Sequence, residues 1–202
     1  MAYLLFFLIF ILLTYSLKSW KAGRVCLNHL PERFVVFDIE TTGLSPTKHE
    51  IIEIAAIRVN RDSAHHESFQ LLVRPNRKVP KEITALTGIT QAMLDEKGEP
   101  LESVLRQFLD FVGDLRLVSF NAEFDMGFLH NAASQYSISI NNSVSCALKM
   151  ARRAWPGMPS YRLADLAKLG NLDDVDTHRA LGDSQRALAV YLAAASKLGS
   201  IS

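Results

Sequence analysis

Phe34-Val-Val-Phe-Asp-Ile-Glu-Thr-Thr-Gly-Leu44 is the stretch that decides the fold. Aromatic and β-branched residues dominate it up to Ile39, the composition of a strand. Strand side chains alternate between faces, so Asp38 and Glu40 share a side with Phe34 and Val36, while Val35, Phe37 and Ile39 face the other way. An ionised carboxylate that is buried and unpaired costs several kcal/mol. Two readings follow. Either a divalent cation lies between the two acids, or the strand simply ends in solvent. The rest of the chain has to decide.

The chain has 202 residues, of which 49% are hydrophobic, enough for one domain with a full core. With 22 basic and 21 acidic residues its formal net charge is +1, so there is no global basic field and any nucleic-acid binding must be local. Cys26 and Cys146 are too few for a disulfide framework or a thiolate zinc site, and they suit a reducing compartment. No repeat or low-complexity tract is present.

Upstream of the strand, residues 2–17 read AYLLFFLIFILLTYSL. As a helix they rise about 24 Å, slightly short of a hydrocarbon core of about 30 Å. No Lys or Arg precedes this run, whereas Lys18, Lys21 and Arg24 follow it. A cleaved signal peptide has the opposite flanks. The sequence thus predicts an N-terminal transmembrane helix over 1–17, a linker over 18–32 and a domain over 33–198, anchored in a single pass with the catalytic domain cytoplasmic.

Downstream, Thr41 to Pro46 is turn chemistry. Strands are expected over Ile51–Val59 and Ser68–Val73, joined as a hairpin by Asn60-Arg-Asp-Ser63. Short helical pieces broken at Gly88 follow over Ile83–Leu94, then an amphipathic helix over Leu101–Val112. A strand over Leu115–Phe120 leads to a helix capped by Asn121 and running to about Gln135. Further helices are expected over Val144–Ala154, Tyr161–Leu169 and from near Thr177 to about Leu198. Strands that come first and then alternate with helices indicate an α/β domain with a mixed sheet.

Asp125 interrupts the apolar face of its helix, and Asp183 interrupts the stripe of Ala180, Ala187, Val190, Tyr191 and Ala194. With Asp38 and Glu40 they make four acids in apolar settings. Hard divalent cations take oxygen ligands, and two-metal sites are built from carboxylates around ions about 3.5–4 Å apart. His178 lies five residues before Asp183. On a regular helix the two would diverge by about 140°, so they converge only if His178 stands at the start of the helix.

FDIETTGL (37–44), NAEFDMGFL (121–129) and HRALGD (178–183), in this order, resemble the three motifs of the DEDDh exonucleases, the DnaQ-like family that includes the epsilon proofreading subunit of bacterial replicative polymerases. EIIEIAAIRV (50–59), LTGIT (86–90) and LKMARRAWP (148–156) extend the similarity over roughly residues 33–195. One departure is Phe120, where the family commonly has His; that position is not a metal ligand. The resemblance implies a ribonuclease H-like mixed β-sheet flanked by helices and metal-dependent 3′→5′ removal of nucleotides from single-stranded DNA or RNA ends. It implies two divalent ions, Mg²⁺ or Mn²⁺, held by Asp38, Glu40, Asp125 and Asp183, with His178 as general base on the attacking water. It places Thr41, Thr42, Gly43 and Leu44 against the terminal nucleotide, with Glu53, Asn121 and Phe124 near it. Two rival readings compete with this one. An aspartate-nucleophile phosphatase using Asp38 needs a second Asp where Glu40 stands and leaves His178 without a task. A non-catalytic binding module on the same fold has no need of His178. The expected partners are a single-stranded 3′ end and, through residues 2–17, a membrane; the sequence names no protein partner.

Overall fold

The structure is a computed structural model, and it describes residues 30–63, 65–170 and 179–199. Five strands form one sheet among these residues: β1 (Arg33–Thr41), β2 (Ile51–Asn60), β3 (Glu67–Leu72), β4 (Arg116–Ser119) and β5 (Val144–Cys146). The order across the sheet is β3-β2-β1-β4-β5. β1 pairs antiparallel with β2 and parallel with β4; β2–β3 is antiparallel and β4–β5 parallel. β1 is therefore the central strand, where an antiparallel half meets a parallel half. Its apolar residues explain the position, since a central strand is covered on both faces.

Seven helices accompany the sheet: α1 (Lys81–Thr87), α2 (Gln91–Lys97), α3 (Leu101–Val112), α4 (Ala122–Ser134), α5 (Ala147–Ala154), α6 (Leu163–Leu169) and α7 (Ala180–Gly199). Val35, Phe37 and Ile39 pack with Val104, Leu105 and Phe108 of α3 and Phe128 and Leu129 of α4. Phe34 and Val36 pack on the opposite face with Ala151 of α5, Leu166 of α6 and Ala187, Val190 and Tyr191 of α7. The alternation of β1 thus sorts two separate cores and turns Asp38 and Glu40 toward the α7 side. α1 ends where Gly88 takes φ 71° and its N–H bonds the Thr84 carbonyl, the left-handed stop that glycine adopts without strain.

Two expectations need correction. Residues 144–154 are not one helix: Val144–Cys146 pair with Leu117–Ser119 as β5, and α5 begins only at Ala147. Three residues carry no period of their own, so hydrogen bonding to β4 decides their state. The second correction concerns the transmembrane helix in the expected fold class and the single-pass location that went with it. Among the described residues no helix is long and apolar enough to cross a membrane. α7 is long enough, with 20 residues, but it carries Asp183, Arg186 and Lys197 and buries one stripe against the sheet. The expected anchor, residues 2–17, lies outside the described residues. The fold class is a mixed α/β, ribonuclease H-like sheet, with no membrane helix among the described residues.

Candidate active site

β1 carries its acids at its C-terminal end, where the ladder to β2 slips between Glu40 and Thr41. Asp38 and Glu40 lie two residues apart on the α7 face. Asp183 comes to them from the first turn of α7. One carboxylate oxygen from each of these three lies within 4.8 Å of the others. The second oxygen-bearing helix, α4, comes from the other face. Asp125 in its first turn is buried, and its Oδ2 accepts from the Ser119 hydroxyl at 3.0 Å. Asp125 stands outside the trio of Asp38, Glu40 and Asp183, yet it is the strongest charged influence on Asp38. His178 lies outside the described residues; the chain resumes at Arg179, directly before α7.

The electrostatics are those of acids crowded together. Burial pushes Asp38 well above the usual carboxylate range, and the charges of Asp125, Asp183, Glu40 and Glu53 push it the same way. Burial, then Asp183 and Glu53, raise Glu40 to about 8, against which Arg179 pulls down. Burial raises Asp125 to about 7, while the Ser119 hydroxyl and the backbone N–H groups of Asp125 and Ile39 pull the other way. Two cations stand nearby and both have carboxylate partners. Arg186, 3% exposed, donates from Nη1 to Asp183 Oδ1 at 2.6 Å. Arg179 bonds Glu53. The trio therefore converges with Arg186 bound to Asp183, while Arg179 is clamped on Glu53. All three donors are carboxylate oxygens, the set that Mg²⁺ and Mn²⁺ take. A divalent cation at this point removes the repulsion and the burial cost together.

Beyond Thr41 the chain forms a stitched loop. Thr41 Oγ1 donates to the Gly43 carbonyl at 2.7 Å. Thr42 N–H donates to the Glu50 carbonyl, and Glu50 N–H donates back to Thr42 Oγ1, each at 2.9 Å. The His49 ring lies over Gly43, where an added Cβ would come within 2.4 Å of it, so glycine is required by close approach. His49 Nδ1 also accepts from Ser45 N–H at 3.1 Å. Leu44 is left 83% exposed at the mouth of this loop. Asn121 is exposed at the start of α4; its carbonyl accepts from Phe124 and Asp125 N–H, but its side chain makes no capping bond. Phe124 packs its ring 5.0 Å from that of Phe128. Glu53 faces inward: it is wholly buried, and both its oxygens accept bonds from the protein.

Sequence reasoning passed over Ser119, His49 and Arg186. Arg186 had a legible signal, because it stands three residues after Asp183 and so shares its helix face. Ser119 and His49 had none, since their partners are set by the strand-to-helix turn and the loop.

Carboxylates gathered at the end of the central strand of a ribonuclease H-like sheet, with a helix bringing the third, define a metal-dependent phosphodiester hydrolase. The chain belongs to the exonuclease family RNase_T, whose pattern matches residues 35–191, and it is a divalent-metal-dependent 3′→5′ exonuclease. It is 38% identical to the DNA polymerase III subunit epsilon of Aquifex aeolicus over 177 residues, covering 87% of this chain and 86% of that protein. It is 39% identical over 162 residues to the PolC-type DNA polymerase III of Halalkalibacterium halodurans, covering 78% of this chain but 11% of that polymerase. Among solved structures it resembles E. coli Exonuclease I in complex with a dA16 oligonucleotide, with TM-score 0.67 and 22% identity over 83% of this chain and 41% of the other. Exonuclease X in complex with 5′ overhanging duplex DNA gives TM-score 0.60 and 29% identity over 78% and 89% of the two chains. The phosphatase and the binding-module readings fall with the family assignment.

Proposed function

We propose that the domain over residues 33–198 shortens single-stranded nucleic acid from its 3′ end, with Asp38, Glu40 and Asp183 holding divalent ions, Asp125 joining them through water or directly, and His178 acting as general base. The observation that carries this reading is the trio of oxygens within 4.8 Å at the end of β1. Two of these three acids have carboxyls raised above the ordinary range by burial and by one another. When bound, Mg²⁺ or Mn²⁺ supplies Lewis-acid stabilisation of the phosphoryl oxygens and the departing 3′ oxygen. The remaining work falls to the chain. The Thr41–Leu44 loop, together with Asn121 and Phe124, seats the terminal nucleotide, and exposed Leu44 offers an apolar edge against the last base. The loop's internal bonds hold that seat before substrate arrives, so little ordering is left for binding to oppose. His178, neutral at cellular pH when its pKa stands near the ordinary 6.5, takes the proton of the attacking water. We leave Glu53 out of the substrate contacts because its oxygens are engaged inside the fold.

Single strands suit a seat built for one terminal nucleotide. Structural neighbours solved with a dA16 oligonucleotide and with overhanging duplex DNA support a nucleic-acid partner. The test uses the full chain with oligonucleotides of one sequence, as DNA and as RNA, labelled at either end, in Mg²⁺, Mn²⁺ or EDTA. A 3′ label should leave at once as a mononucleotide, and a 5′-labelled strand should shorten in steps, both only with metal. Initial release of a 5′ mononucleotide, or hydrolysis in EDTA, would overturn the assignment. The DNA and RNA arms decide the sugar, which a protein distinguishes through the 2′-hydroxyl.

A further inference from the structure

The arrangement around Glu53 has no part in the reading so far. Glu53 is the β2 residue directly across the ladder from Glu40. It is the one acid near the site with no exposure at all. Four donors converge on its carboxylate. Oε1 accepts from Gln70 Nε2 at 2.9 Å and from Arg179 Nη2 at 2.7 Å. Oε2 accepts from Arg179 Nε at 3.2 Å and from the backbone N–H of Ala180 at 3.1 Å. The Arg179 fork is bidentate, the geometry that fixes orientation as well as supplying attraction. Ala180 is the first residue of α7, and the first N–H groups of a helix have no partner within it. Glu53 thus caps α7 from another element, with a full negative charge at the positive end of the helix.

What this cap holds is the catalytic segment. Asp183 N–H bonds the Arg179 carbonyl at 3.0 Å, so the residue clamped by Glu53 also closes the turn that presents Asp183. Glu53 and Arg179 are 126 residues apart in sequence. Arg179 also eases the charge of Glu40, so one guanidinium touches Glu53 of β2 and influences Glu40 of β1.

We infer that Glu53 is a positioning residue: through Arg179 and the first N–H of α7 it sets the register of Asp183 against Asp38 and Glu40. This inference rests on the exonuclease reading for its catalytic consequence, but its geometric part stands apart from it. Glu53→Gln keeps size and shape, removes the charge, and turns one N–H toward a site that now receives only donors. Groups that orient metal ligands typically contribute 10–100-fold to metal affinity or activity.

The test measures three things on the full chain: Mn²⁺ affinity by titration calorimetry, kcat and KM on a single-stranded oligonucleotide, and amide exchange over residues 180–184. In Glu53→Gln, Mn²⁺ affinity and kcat should each fall about 10–100-fold, KM should change less than about threefold, and exchange over 180–184 should quicken. Arg179→Lys, which keeps the buried Glu53 paired but loses the fork, should show the same pattern at about a tenfold loss. It decides the matter if Glu53→Gln does not fold. A folded variant with a lowered Tm but wild-type Mn²⁺ affinity and kcat would make Glu53 merely structural and overturn the inference. Loss confined to KM would do so too, by returning Glu53 to the substrate. If the wild-type chain does not degrade the oligonucleotide, the substrate reading fails, while Mn²⁺ affinity and exchange still decide the clamp.

Discussion

Removing divalent metal should make stability fall as pH rises. Glu40 moves from an ordinary 4.5 to about 8 on folding, and Asp38 and Asp125 move in the same direction. The folded state therefore binds more protons than the unfolded state between about pH 4.5 and 8, and stability declines with pH across that window. The stabilisation is fully present below the unfolded pKa and gone above the folded one. At about 1.4 kcal/mol per pH unit, Glu40 alone sets an upper bound of about 5 kcal/mol. Solvent reaches this partly buried group and the acids titrate as one field, so about 2–3 kcal/mol is the working figure for the cluster. For a domain of this size that is about 4–12 °C in Tm. His66 runs the other way: burial lowers its pKa from 6.5, so its contribution is lost as pH falls through that region. The clean window is therefore pH 6.5–8.5. Thermal unfolding of the full chain in EDTA, followed by circular dichroism, should show Tm falling across it. Saturating Mn²⁺ should remove the slope, and Asp38→Asn or Glu40→Gln should flatten it in EDTA while raising Tm at the alkaline end. A Tm that is flat or rises from pH 6.5 to 8.5 in EDTA would refute the claim that these acids are held together against their own repulsion.

Asp38→Ala and Asp183→Asn should each abolish hydrolysis without loss of the fold, checked by turnover beside circular dichroism; full activity of either in Mg²⁺ would remove that acid from the metal site. His178→Ala should lower turnover by roughly 10²–10⁴, the usual worth of positioned proton transfer. Wild-type turnover should climb with pH through the histidine range and level off, and the variant should lose that climb. An identical profile in both would leave His178 without a role in proton transfer. Gly43→Ala drives a methyl to within 2.4 Å of the His49 ring, so the loop must shift. Overpacking of this kind costs about 1–3 kcal/mol, and oligonucleotide KM should rise more than kcat falls; unchanged KM would mean that the loop does not seat the nucleotide.

Much of the site was legible because its residues break local patterns. Asp38 and Glu40 interrupt an apolar alternation of period two, and Asp183 interrupts a stripe of period 3.6, so each was visible from its neighbours alone. Helix limits were legible where punctuation is strong: α3 runs from the residue after Pro100 to the residue before Gly113. Glu53 was harder. It sits between Ile52 and Ile54 in a strand, where a charged residue reads as outward-facing. Its burial depends on an arginine 126 residues away, a pairing that no window of local sequence contains. The Ser119–Asp125 bond and β5 were hidden for the same reason, since tertiary partners rather than local periodicity determine them.

The acid trio is split between the first strand of the sheet and the last described helix, and this has a bearing on synthesis. A ribosome makes Asp38 and Glu40 early and Asp183 late, after every strand of the sheet and six of the seven described helices. A nascent chain holds the residues of β1 to β5 and α1 to α6 while still lacking the third carboxylate and the turn that aims it. A fragment that stops before residue 183 therefore lacks both the third acid and the α7 residues that cover Phe34 and Val36. The three acids are thus all present only once the first turn of α7 has been made.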